Sequence, residues 1–156
     1  YCTIMKSSHI RALMIVLALV GLADAAYLAD MAFMGQSLVC DIGAGLDGCN
    51  AFAQSEYSRL LGLPLALYGA IVYAAVLIVL LLKRRLPQHL YQKKLMLLAA
   101  IGVVFSTYFL YLQQFVIEAL CIFCIGSSVI SYILALLVYL GREKAHPESP
   151  SAPVQV

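Results

Sequence analysis

The sequence predicts an all-α membrane protein, a four-transmembrane-helix bundle with a short extracytoplasmic surface helix. Three observations carry this: the composition, four long apolar runs, and the placement of the basic residues. Of the 156 residues, 63% are hydrophobic and 12% charged, with mean hydropathy +0.94. A soluble domain is about half apolar and about a quarter charged. One helix needs about 20 apolar residues to cross a bilayer core, and four stretches meet that length. Little chain is left over, so the expected organisation is one polytopic domain over residues 12–141. It follows a cytoplasmic segment, 1–11, and precedes a disordered cytoplasmic tail, 142–156.

In order along the chain, the first span is expected at residues 12–34. It carries Asp24 and Asp30, which are costly in hydrocarbon unless they face the bundle or lie near an interface. A loop over 35–59 follows, with a Gly-rich stretch at 41–48 that can fold tightly. Residues 50–60 place Phe52, Ser55 and Arg59 at near-helical spacing, which predicts the short surface helix. The runs 60–82, 95–117 and 119–141 contain no charged residue and form spans two, three and four. The tail from His146 onward holds three of the five prolines, the basis for expecting disorder there.

Nine of the ten basic residues fall on one side of these spans: Lys6, Arg11, Lys83, Arg84, Arg85, Lys93, Lys94, Arg142 and Lys144. The tenth, Arg59, shares the other side with Asp41, Asp47 and Glu56. The positive-inside rule then places both termini and the 83–94 loop in the cytoplasm and the 35–59 loop outside. The basic clusters read as topology determinants, and no nucleic-acid-binding pattern accompanies them.

Four of the five cysteines fall on the outer side. Cys40 and Cys49 bracket the loop, and Cys121-Ile-Phe-Cys124 opens span four, while Cys2 lies on the opposite side and reads as incidental. Residues i and i+3 share a helix face, and the exposed amides and dipole of a first turn stabilise a thiolate. That favours a redox pair over two cysteines merely packed in an apolar helix. Two outward pairs in an oxidising compartment suit disulfide exchange. A zinc site fits poorly: the eight-residue spacing of Cys40 and Cys49 is not a zinc-knuckle spacing, and His9, His89 and His146 are all on the cytoplasmic side. No metal site is expected.

Several segments together resemble the bacterial branch of the vitamin K epoxide reductase family. They are Gly21-Leu22 with Tyr27-Leu28, the run Cys49 to Ser58 followed by Gly62-Leu-Pro64 and Tyr68-Gly69, and the Cys121-Cys124 motif. The resemblance covers about residues 10–142. It implies a four-helix bundle around a quinone, ubiquinone or menaquinone, in the bacterial inner membrane. It further implies that Cys124 contacts the quinone, that Cys121 exchanges with Cys49, and that Cys40 completes the loop disulfide and meets a thioredoxin-like protein. Ser55 would support the quinone or the thiols. In the animal enzymes an Asn stands at the position of Ala66 and a Tyr at that of Ser128, so these two positions are expected at the quinone and vitamin K epoxide recycling is not. With no fused thioredoxin-like domain in this chain, the partner is expected to be a separate periplasmic protein. The expected function is a membrane thiol-disulfide oxidoreductase. The alternatives are a quinone or vitamin K (epoxide) reductase, or a heavy-metal carrier using the cysteine pairs.

Overall fold

The computed structural model describes residues 7–35, 56–118 and 120–143. The loop cysteines Cys40 and Cys49, Ser55, Cys2, the start of the chain and the tail beyond 143 lie outside them. Four described helices are long and apolar enough to cross a membrane: His9–Met34, Leu65–Arg84, Gln88–Val116 and Ile122–Gly141. The protein is an all-α multi-pass membrane bundle.

Helix α1, Ser7–Met34, leads into the undescribed loop. Beyond the loop come a single 3₁₀ turn at Glu56–Ser58 and a small antiparallel hairpin, β1 Arg59–Leu60 and β2 Leu63–Pro64. Helix α2 spans Leu65–Leu81, and α3 spans Gln88–Tyr111 with a π-helical continuation, Leu112–Val116. Helix α4 is Ile122–Glu143. Each helix packs against its two neighbours in the order α1, α2, α3, α4 and back to α1, most extensively in the α1–α2 and α3–α4 pairs and least between α2 and α3.

The helix ends depart from the expected spans for identifiable reasons. Span two starts at Leu65 rather than 60 because Leu61 and Gly62 both take positive φ, 54° and 80°, in the hairpin turn. Pro64, which has no N–H to give, then sits at the helix N-cap. The surface helix expected to run to residue 60 does not reach it: Arg59 and Leu60 are in a strand, and residues 50–55 lie outside the described part. Span three begins seven residues early, directly after Pro87, because Gln88, His89, Lys93 and Lys94 suit a helix as well as they suit water. Span four begins at Ile122 instead of 119, since Glu118 has φ 53° and the chain reverses there.

Apolar side chains point outward along all four helices, including Val16, Ile78, Val104 and Leu136, as a lipid-facing surface requires. Inside, Ala18, Gly21, Ala25 and Ala29 make a small-residue stripe on α1 that lets the neighbouring helices approach. At Gly21 the approach is closest. A Cβ there would lie 2.5 Å from Tyr73 Cε1, so only glycine lets the Tyr73 ring lie across α1. Below that ring, Val76, Val79, Leu80, Tyr91, Leu95, Leu134 and Val138 fill the core.

Candidate active site

Above the ring the bundle is hollow. A cavity of about 230 Å³ is bounded by all four helices and the hairpin. Its walls are mainly apolar, with Leu28, Leu65, Val72, Phe105 and Phe109 among them. The polar groups facing it are Tyr68, Tyr73, Arg59 and Ser58, together with Ser106 on α3 and Ser127, Ser128 and Ser131 on α4. Ile71 of α2 lines the cavity and is also 57% exposed on the outer face of the bundle.

Both cysteines of the span-four motif border this cavity. Cys121 precedes α4, and its carbonyl accepts the Ile125 N–H at 3.0 Å, the first bond of the helix. It is therefore the N-cap residue, and Cys124 lies one turn in. The Cys121 sulfur meets the Cys124 thiol and the backbone N–H groups of Cys124 and Phe123. The Cys121 thiol, one residue ahead of the membrane-spanning segment, is held below the ordinary cysteine range, first by the hydrogen bond with the Cys124 thiol and then by those amides, against its burial. Both thiols are free, with Cys121 1% exposed and Cys124 partly accessible. Leu28, Met31 and Phe123 pack around them, and Tyr27 stacks obliquely on Phe123.

A residue that sequence reading passed over holds Cys121 in place. The π-helical turn rotates Gln113 into the bundle, where it is fully buried. Its Oε1 accepts the Cys121 N–H at 2.8 Å. The only sequence signal was a glutamine pair near the end of an otherwise apolar run. Asp24 was legible as a costly charge, but its setting was not. The Ser127 hydroxyl hydrogen-bonds its carboxyl, and Ser127 in turn meets Tyr73.

Ala66 and Ser128, picked out from the sequence, both line the cavity, and the Ser128 hydroxyl donates to the Cys124 carbonyl at 2.8 Å. Ser106 is buried and faces the cavity. Cys40, Cys49 and Ser55 lie outside the described residues, and no group of three or more potential metal ligands occurs among those described.

Paired thiols at the mouth of an apolar cavity, inside a bundle of membrane-spanning helices, define a membrane-embedded redox protein. The Vitamin K epoxide reductase family model matches residues 12–139, and the chain belongs to that family. It is a membrane oxidoreductase whose chemistry is related to quinone and vitamin K reduction.

Proposed function

We propose that the protein is a disulfide-generating oxidoreductase that passes electrons from a separate periplasmic thioredoxin-like protein to a membrane quinone. The observation that carries this reading is the shared border: Cys121 and Cys124 both flank the apolar cavity inside the membrane-spanning bundle. The residues fit a quinone head group. Leu65, Val72, Phe105 and Phe109 would hold its flat apolar ring, and the Ser106 hydroxyl would be available to donate to a carbonyl oxygen. When bound, ubiquinone or menaquinone supplies the two-electron acceptor and so the drive for the cycle.

The reduced partner exchanges with the Cys40/Cys49 disulfide, Cys49 with the Cys121/Cys124 disulfide, and the resulting dithiol is reoxidised with loss of two electrons and two protons, the electrons being those a bound quinone would accept. Net, one dithiol becomes a disulfide and one quinone a quinol. Cys121, at the N-cap with its thiol held below the ordinary cysteine range, carries the exchange step with the loop cysteine. Cys124, a turn deeper, faces the cavity, and Ala66 and Ser128 stand on its walls. Ser55, six residues beyond Cys49, supports the thiols or the quinone. In this reading residues 1–11 and 142–156 are cytoplasmic ends of a bacterial inner-membrane protein, and the catalytic domain is 12–141.

The test is turnover of purified protein with a reduced thioredoxin-like protein and a short-chain ubiquinone. Quinone-dependent oxidation of the partner, lost in Cys124→Ser with Cys121 trapped on Cys49, is expected. Quinone reduction by dithiothreitol without any turnover of protein dithiols would favour a quinone or vitamin K reductase instead. Stoichiometric soft-metal binding without turnover would favour a metal carrier.

A further inference from the structure

Asp24 lies in the middle of a membrane-spanning helix, where a carboxyl group persists only with partners or a use. It is half-buried. One carboxyl oxygen is hydrogen-bonded by Ser127, while Oδ2 is buried with no partner. A charged oxygen in that state is costly, and a proton on the carboxyl relieves the charge. Ser127 meets Asp24 from α4, and the thiols of Cys121 and Cys124 are near enough to interact with its charge.

From Ser127 the contacts continue. Tyr73 Oη lies 3.1 Å from Ser127 Oγ, 2.7 Å from the Ser127 carbonyl and 2.9 Å from Ser131 Oγ. Asp24, Ser127, Tyr73 and Ser131 thus form an unbroken line of oxygens, and the last three line the cavity. The line accommodates protons in either of two orders. With Asp24 ionised, every hydroxyl donates toward it: Ser131 to Tyr73, Tyr73 to Ser127, Ser127 to Asp24. With Asp24 protonated, every donation reverses and Tyr73 donates to Ser131. The Tyr73–Ser127 and Tyr73–Ser131 distances serve both arrangements, so one proton moves along the line by exchange of hydrogen bonds.

We infer that Asp24 is the proton store of the thiol site, taking a proton from the cysteine pair and delivering it to the cavity through Ser127, Tyr73 and Ser131. The inference rests on the dithiol-to-quinone reading above. Oxidation of Cys121 and Cys124 to a disulfide releases two electrons and two protons. Both electrons pass to the quinone. The Cys124 proton passes to Asp24 and on through the line to one quinone oxygen. The Cys121 proton leaves to water at the outer mouth, and the second quinone oxygen takes its proton from water.

Two measurements on the purified full chain test this. The first uses no quinone: infrared difference spectra are recorded as the cysteine pair is cycled between dithiol and disulfide with dithiothreitol and glutathione disulfide. A carboxylic C=O band that changes with thiol state, shifts in D₂O and vanishes in Asp24→Asn is expected. The second is turnover with a reduced thioredoxin-like protein and a short-chain ubiquinone. Tyr73→Phe keeps the ring over Gly21 and removes only the hydroxyl. It is expected to lower turnover by roughly 10²-fold, the low end for positioned proton transfer, while exchange with the partner in a quinone-free single turnover keeps its wild-type rate. The proposal requires both results. A silent Asp24 band overturns it whatever the rates, and so does wild-type turnover in Tyr73→Phe. If wild-type protein turns over no quinone at all, the broader functional reading fails and proton delivery to the cavity fails with it, while the infrared band decides separately whether Asp24 exchanges a proton with the thiols.

Discussion

Replacing Gln113 by Met separates positioning of Cys121 from packing of the fold. The amide oxygen accepts the Cys121 N–H at 2.8 Å inside the bundle, and Met fills nearly the same volume without it. Orphaning a buried N–H costs about 1–3 kcal/mol. The same change removes the Gln113 Nε2 group, which is itself buried with no partner among the described residues, and relieves a penalty of the same order. A near-isosteric swap adds less than about 1.5 kcal/mol. Global stability in detergent is therefore expected to change little, while the Cys121 amide is released. At about 1.4 kcal/mol per factor of ten, hydrogen exchange at that amide should accelerate roughly 5- to 150-fold, with faster alkylation of Cys121 in the reduced protein. Gln113→Ala makes the contrast. It loses the same bond and adds a cavity at a fully buried position, and its unfolding free energy should fall by about 2 kcal/mol or more. If Gln113→Met unfolds the protein as Ala does while the Cys121 amide exchanges at its original rate, Gln113 is a packing residue and not a clamp.

The remaining predictions concern the cavity, the thiols and the orientation. Gly102 lines the cavity, and a Cβ there meets only Ser131 at 3.9 Å, so Gly102→Ala should behave as wild type while Gly102→Leu fills the space and raises the KM for a short-chain ubiquinone. An unchanged KM in Gly102→Leu would put the quinone elsewhere. Removing Cys124 deletes the largest influence holding the Cys121 thiol down, so in Cys124→Ala the pH midpoint of Cys121 alkylation should move up toward the ordinary cysteine range. A midpoint that stays or falls would show that the amides alone set it. Gly21→Ala drives a methyl into the Tyr73 ring at 2.5 Å and should cost about 1–3 kcal/mol of stability, read from thermal unfolding in detergent; a neutral Ala would mean the ring yields freely. A membrane-impermeant thiol reagent on reduced intact cells should label Cys40 or Cys49 and spare a cysteine introduced at 86–92, and the reverse pattern would invert the topology.

The helix count was legible because lipid imposes length and apolarity together, and no soluble fold demands both. The ends were not. Residues 60–64 are as apolar as the span they precede, but Gly62 and Pro64 turn the backbone before the helix can start. Residues 88–94 are polar yet helical, because a helix can continue beyond the hydrocarbon as long as its backbone bonds are made within the segment. The Cys121 and Cys124 pair was readable because i and i+3 share a face, and that spacing survives the shift of the helix start to Ile122. Gln113 was invisible: a regular α-helix through 112–116 would rotate it differently, and the π-turn that turns it inward leaves no signature in residue type. The line from Asp24 was equally hidden, since its contact from Tyr73 to Ser131 joins residues 58 positions apart.

Tyr73 connects the stability of the bundle to the chemistry of the site. Its ring belongs to the packed core, and the same residue lines the cavity. The ring is thus the floor that separates a filled half of the bundle from a hollow one, with its hydroxyl held between Ser127 and Ser131 on the hollow side. Gly21 sets the height of that floor, because any side chain there pushes the ring off α1. A floor pushed toward α4 would shorten the cavity and break the oxygen line in the same movement. Gly21→Ala and Tyr73→Phe should therefore part company. The first is expected to lose stability and quinone turnover together, the second turnover alone, because only the first changes where the ring lies.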